Sequence, residues 1–380
     1  MSSNRSATLG ISGWRLHGQR TGIGRYILSL VECLTEELVA PFFDGVNLYT
    51  PQPLSASPIS LPRNVYNRVL SSRLAMLPWE NFRLGPSAKD PVMLYPSFSR
   101  PLVVRGASVV TTHDATMRIV PRMFTRKDRL FYDRLYGWSA RAATVVLTTS
   151  EAAKRDIARE WRVDPAKIRV TPLAAAPAFH PLPATVNRER LRYEMFRTDA
   201  PYFVFVGKIS GRRNVSELLK AFAQYRRLGH PQRLLVVGPD HAVRAVRAIA
   251  SELEVDRDLV TRSFVTDVEL NQFFNCADGF IMPSAYENGS LPVFEAQASG
   301  TPVISIDTDG SREITQGSAL LIPHLDAPSL LNAMIQLGTD ADLRARLCLR
   351  GLENSRQYSW HRCAQETLAA CAEAAEIHAS

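Results

Sequence analysis

The sequence has little that would carry it across a membrane. No run approaches the roughly 20 consecutive apolar residues of a spanning helix, and the opening MSSNRSATLGISGW lacks the apolar core of a secretory leader. Paired cysteine is missing as well. The five cysteines (Cys33, Cys276, Cys348, Cys363, Cys371) are odd in number, widely spaced and without a Cys-x-x-Cys pair, which excludes a disulfide scaffold and the common zinc and thiol–disulfide motifs. Free thiols in a reducing compartment are expected, and hence a cytoplasmic protein, free or peripheral on the inner face of the cytoplasmic membrane. There is no internal repeat or low-complexity tract, which excludes solenoids, and 46% hydrophobic with 22% charged residues excludes disordered and collagen-like chains.

What is present is an alternation. Short β-branched runs at 109–114, 144–150, 167–173, 202–207, 233–239, 279–284 and 302–307 are separated by amphipathic helical stretches, the pattern of parallel sheets with crossover helices. In the first of these helices Ile27, Leu30, Val31, Leu34 and Leu38 recur at helical spacing. With 380 residues the chain exceeds one ordinary core and suits two α/β domains. The pattern lapses between His180 and Pro201 into proline and mixed charge, where an interdomain linker is expected. The domains are therefore placed at 1–180 and 181–357, with a further helical pattern at the C-terminus.

Charge divides at the same place. Residues 1–180 hold 24 Lys and Arg against 13 Asp and Glu, a net +11, and residues 181–380 hold 21 against 24, a net −3. A basic first half fits an anionic partner: a phospholipid surface, a lipid-diphosphate acceptor or nucleic acid. No nucleic-acid-binding module is recognisable, so nucleic acid is set aside. Arg118, Arg122, Arg126, Lys127, Arg129 and Arg134 share one stretch with Phe124, Phe131, Tyr132, Tyr136 and Trp138, as an interfacial membrane contact would. A core helix with an ordinary charged face fits the same pattern.

Three loops carry candidate chemistry, because ligands of open parallel sheets bind beyond the carboxyl ends of the strands. In TGIGRY (21–26), Gly22 and Gly24 would let backbone amides approach a diphosphate at a helix start, and a purely structural turn would use the same glycines. In VGKISGRRN (206–214), Lys208, Arg212 and Arg213 cluster before a helix with Asn214 as its expected N-cap. Cations there oppose the helix dipole unless an anion compensates, though a solvated basic loop is the alternative. In SAYENGSLPVFEAQASGTPVISID (284–307), Glu287 falls in a loop and Glu295 on a helix that Pro292 opens and Gly300 ends. A carboxylate accepts hydrogen bonds without donating, so Glu295 suits a ribose and Glu287 the hydroxyls of a transferred sugar. On spacing alone both could be solvated charge.

ENGSLPVFEAQASGTPV resembles the E-x7-E signature of family 4 glycosyltransferases, written EGFGLPxxEAMACGTPV. The resemblance extends to TGIGRYILSL, PWENFRL at 78–84, VVTTHDATMRIVP at 109–121, TTSEAAKRDI at 148–157, VTPLAAAPAFHP at 170–181, the RRN loop and YSWHRCAQETL at 358–368. It implies a GT-B fold, two Rossmann-like domains with parallel sheets facing across a cleft, the acceptor mainly on the first domain, the nucleotide-sugar on the second, and a last helix (358–380) crossing back to the first. By position it assigns Glu295 to the ribose, Glu287 and His113 to the reacting sugar, Arg212 and Arg213 to the donor diphosphate, and the loop Gly289, Ser290, Leu291 to phosphate and sugar. Apart from the resemblance, a lone His at a strand end is more often a packed one. Asn288-Gly289-Ser290 stands where the family writes Gly-Phe-Gly, and Arg213 where it carries Lys.

The activity implied is retaining hexosyl transfer in surface polysaccharide synthesis. Mannose from GDP-mannose is the favoured donor and a saccharide or lipid-diphosphate-linked saccharide the acceptor. No cofactor or metal is expected, since Lys208, Arg212 and Arg213 supply cations, and Asp307-Thr308-Asp309 falls in a turn rather than at the donor loops. A nucleotide-sugar hydrolase or epimerase, or a non-catalytic nucleotide-sugar-binding protein of the same fold, is the competing reading.

Overall fold

In the computed structural model, residues 7–18, 22–54, 59–263 and 265–380 are described, apart from the side chains of His241 and Ala242. The chain forms two compact units, Met1–Leu173 with Ser359–Ser380, and Ala174–Tyr358.

The first unit is built on strands β1 (Thr8–Ser12), β2 (Gly45–Thr50), β3 (Val65–Val69), β4 (Val92–Tyr95), β5 (Ala107–Thr111), β6 (Val145–Thr148) and β7 (Ile168–Val170). They run parallel in the order β3-β2-β1-β4-β5-β6-β7. Interior strands such as β5 and β6 are buried throughout, as strands covered by helices on both faces must be. The β3 edge is largely exposed, and its polar VYNRV reads weakly as a strand for that reason. The first helix spans Gly22–Glu32, shorter than its apolar spacing suggests. Leu34 is buried in the link beyond it, and Leu38 belongs to a separate turn, Glu36–Val39, capped by the Thr35 side chain. The C-terminal helix Trp360–Ala379, capped by Ser359, belongs to this unit. Arg169 Nε donates to Glu373 at 2.9 Å, and Trp360 lies 5.9 Å from Tyr26, ring to ring.

The second unit holds β8 (Tyr202–Val206), β9 (Arg233–Val237), β10 (Leu259–Arg262), β11 (Gly279–Met282), β12 (Val303–Ile306) and β13 (Ala319–Ile322), parallel in the order β10-β9-β8-β11-β12-β13. Phe203, Phe205, Leu218, Phe222, Ile281 and Ile304 are fully buried in its core. The expected linker is not free chain. Arg188–Phe196 is a helix, and the backbone amides of His180 and Leu182 are received by Asn271 and Asn275 at 3.2 and 2.7 Å. That helix buries none of its residues, so it has no apolar stripe for a sequence reading to find. All five cysteines are free thiols.

Candidate functional site

Each strand order reverses direction once, between β1 and β4 in the first sheet and between β8 and β11 in the second. The loops leaving the carboxyl ends of those strands diverge, and the crevice between them is where open α/β sheets bind ligands.

In the second unit these are the loop after β8, carrying Lys208, Arg212 and Arg213, and the loop after β11, carrying Glu287. Gly207, just past the end of β8, holds φ at 145°, a region that side chains disfavour. Arg213 forms an ion pair with Glu287, and its Nη1 also donates to Ser284 Oγ at 2.7 Å. Arg212 Nη1 donates to the Tyr286 carbonyl at 3.0 Å and stands 3.6 Å from Glu287 Oε1. The Glu287 side chain is 4% exposed and that of Arg213 13%, so the pair is largely withdrawn from water and geometrically fixed. Lys208 is exposed, and none of the contacts described joins it to this cluster. Asn214 is not a side-chain cap. It sits in the left-handed region at φ 44°, and its Nδ2 donates back to the Arg212 carbonyl at 3.1 Å.

The loop runs through Gly289 into the helix Leu291–Ala298, with Pro292 in its first turn and Gly300, at φ 77°, just past its end. Ser290 occupies the N-cap position without capping, and its buried hydroxyl has no hydrogen-bond partner among the described residues. Leu291 is 7% exposed and Glu295 1%. Backbone amides at a helix N-terminus suit an anionic group, and the buried Ser290 hydroxyl and Glu295 carboxylate suit a ligand that also brings hydroxyls.

What holds this loop is the turn after β12, in which the sequence pattern shows no role. Thr308 caps the helix Asp309–Thr315 by accepting from Ser311 N, and its Oγ1 donates to the Glu287 carbonyl at 3.3 Å. A Cβ on Gly310 would stand 2.1 Å from that carbonyl oxygen and 2.2 Å from Asn288 Oδ1. Gly310 is a glycine because the loop lies against it. Asp307 is held by Arg312 at 2.6 and 2.8 Å, and Asp309 lies 3.8 Å from the same guanidinium.

In the first unit, Gly22 and Gly24 lie in the first turn of the helix that follows β1, Gly22 exposed and Gly24 buried. Residue 21 of that motif lies outside the described residues. His113 follows β5. Its Nε2 donates to the Pro96 carbonyl at 3.2 Å, leaving Nδ1 as the acceptor of a neutral ring. Burial pushes its pKa below 6.5 against the opposing hydrogen bond to Pro96. Tyr26 and Phe98 approach the ring edge-on at 5.0 and 5.2 Å. The buried hydroxyls of Thr112 and Thr116 beside it have no partner among the described residues.

Two groups here had no role in the sequence reading. Phe98 holds φ at 67°, a conformation that costs a non-glycine residue about 1–3 kcal/mol and concentrates at functional sites. Glu80 is 1% exposed and accepts from Ser12 Oγ and Ser99 Oγ, both at 3.0 Å. It thereby ties the end of β1 to the loop after β4. Burial pushes its carboxyl up to about 7, more than the two serine hydrogen bonds hold it down. PWENFRL marks this residue, but no spacing rule distinguishes a buried Glu from a surface one.

Comparison with known proteins finds chains of similar sequence and structures of similar fold. Residues 187–351 match the family model for glycosyl transferases group 1. The O-antigen chain mannosyltransferase B of Escherichia coli is 27% identical over 378 residues, covering 92% of this chain and 95% of that protein. A D-inositol 3-phosphate glycosyltransferase of Stackebrandtia nassauensis is 32% identical over 250 residues, 62% of this chain and 55% of that protein. Among solved structures, WaaG, a glycosyltransferase involved in lipopolysaccharide biosynthesis, superposes with a TM-score of 0.74 at 16% identity, over 96% of this chain and 99% of that one. Anabaena HepE in complex with UDP-glucose gives 0.74 at 14% identity, over 96% and 98%.

Proposed function

We propose, on the premise that this chain is a GT-B glycosyltransferase resembling surface-polysaccharide mannosyltransferases, that it transfers mannose from GDP-mannose, with retention, to a saccharide or lipid-linked saccharide acceptor. The observation that carries the donor assignment is the Arg212–Arg213–Glu287 cluster at the switch point of the second sheet. It leads directly into a helix N-terminus with the buried Ser290 hydroxyl.

In this reading Arg212, Arg213 and Lys208, with the amides of Gly289, Ser290 and Leu291, stabilise the diphosphate as it leaves. Electrostatic stabilisation of this kind is usually the largest catalytic contribution. Glu295 accepts from the ribose hydroxyls. Glu287, oriented by Arg213, is assigned to hydroxyls of the reacting sugar. The acceptor oxygen bonds to the anomeric carbon on the face from which the diphosphate departs, the carbon–phosphate-oxygen bond breaks, and the departing oxygen takes the acceptor proton. No carboxylate is assigned as a nucleophile, and no metal is required. The chain has no helix, among the described residues, long and apolar enough to cross a membrane. Contact with an anionic membrane surface is proposed through the exposed basic groups of the first unit.

The test is a panel of nucleotide sugars with and without saccharide acceptors, in EDTA, with the product anomer read by NMR. Formation of an α-mannoside from GDP-α-mannose in EDTA is expected. Donor hydrolysis or epimerisation of equal rate without acceptor would overturn the transferase assignment, and activity restored by magnesium or manganese alone would overturn the metal-free mechanism.

A further inference from the structure

The first unit carries an open apolar groove of about 710 Å³, within the range of roughly 300–1,000 Å³ of small-molecule sites. Its apolar wall includes Leu77, Phe82, Leu102, Val103, Phe131 and Tyr132. Phe82 is 74% exposed, Leu102 65% and Val103 77%, a concentration of large apolar side chains that soluble surfaces seldom leave without a purpose. Lys127 is the charged residue lining the groove, and Arg83, Arg105, Arg126 and Arg129 are exposed on the same segments. No acidic side chain lines it among the described residues. Asp128, next to Lys127 in sequence, receives Thr125 N and Oγ1 at 3.2 and 2.7 Å.

A ladder of ring contacts leads from the groove wall to the candidate site. Tyr132 lies 5.8 Å, ring to ring, from Tyr136, which stacks at 4.9 Å on Phe98, whose ring is 5.2 Å from His113. The aromatics of the basic stretch are thus divided. Tyr136 turns inward along this ladder and Trp138 is covered by Arg100 at 5.3 Å, while Phe131 joins the exposed wall.

We propose that this groove holds the hydrocarbon chain of a lipid phosphate, the carrier end of a lipid-linked acceptor whose sugar end lies toward His113. The identification of the ligand as an acceptor rests on the transferase reading. An apolar wall with a cationic rim matches an apolar chain with an anionic head in both respects. A second copy of the chain would match the wall but not the rim, because self-complementary pairing would set the basic rims against each other.

Titrating the full-length protein with monomeric farnesyl phosphate, farnesol and inorganic phosphate tests this. Farnesyl phosphate should bind, inorganic phosphate should not measurably bind, and farnesol should bind more weakly. Phe82→Ser and Val103→Ser should each weaken farnesyl phosphate about tenfold, as loss of a buried apolar contact does. Lys127→Gln should reduce the salt dependence, with GDP affinity unchanged throughout. Equal binding by the variants, equal affinity for inorganic phosphate, a concentration-dependent dimer dissolved by the same substitutions, or adsorption to anionic vesicles that Phe82→Ser leaves unaltered would each overturn the assignment. Failure to bind any nucleotide would instead overturn the transferase reading, since the lipid titration requires no donor.

Discussion

Substituting Gly310 with alanine tests how the Glu287 loop is held. The new Cβ would fall 2.1 Å from the Glu287 carbonyl oxygen, 2.2 Å from Asn288 Oδ1 and 2.7 Å from Asn288 Cα. Two of these are backbone atoms, so no rotamer change relieves the contact, and the loop must retreat by roughly 1 Å before ordinary packing distances return. Overpacking of this kind costs about 1–3 kcal/mol, and in a unit of this size each kcal/mol lowers Tm by about 2–4 °C. A misplacement of roughly 1 Å at a site that orients a reacting group costs on the order of 100-fold in rate. The expected result is a modest fall in Tm and a large fall in kcat. Gly317→Ala is the control. Gly317 lies just beyond the same helix with φ 78° and open space around its Cβ, so alanine there should cost about 1–2 kcal/mol of backbone strain and leave kcat intact. Thermal unfolding and steady-state transfer on both variants separate the two effects. Full activity in Gly310→Ala, or equal losses of kcat in both, would refute the claim that the turn after β12 positions Glu287.

Glu295→Ala should weaken GDP binding by about 2–4 kcal/mol by calorimetry, because ribose hydroxyls would lose a charged acceptor in a buried site; unchanged affinity would remove Glu295 from the donor site. Arg213→Ala should destabilise the protein by about 3–5 kcal/mol, since it leaves the Glu287 carboxylate buried beside the more distant Arg212. Arg213→Ala with Glu287→Ala should then cost less than the sum of the singles, and strict additivity would deny the coupling. Glu80, raised from 4.5 to about 7 by burial, binds its proton more tightly folded than unfolded, so it favours the fold at low pH and loses that contribution as pH rises from about 4.5 through 7. Glu80→Gln should flatten that decline, on the order of 3 kcal/mol, in urea unfolding followed from pH 4 to 8, and an unaltered slope would contradict it.

The sequence by itself determined the class of fold and the identity of the chemical groups. Runs such as YFVFVG and PVISID cannot be placed except as strands buried on both faces. Their alternation with amphipathic stretches allows parallel crossover units, and Pro292 and Gly300 delimit a helix by local backbone preference. These are properties of neighbouring residues, so they can be read along the chain. The short strands Leu259–Arg262 and Ala319–Ile322 and the Arg188–Phe196 helix were not legible, because four residues or an unpatterned surface helix carry too little periodicity. Tertiary structure alone decided which groups meet. It set Arg213 against Glu287, 74 positions away, made Gly310 a steric neighbour of that loop, buried Glu80 between Ser12 and Ser99, and led the aromatic ladder from an exposed groove to His113. Distance, burial and the direction of a pKa shift arise from packing between segments remote in sequence, and no local pattern encodes them.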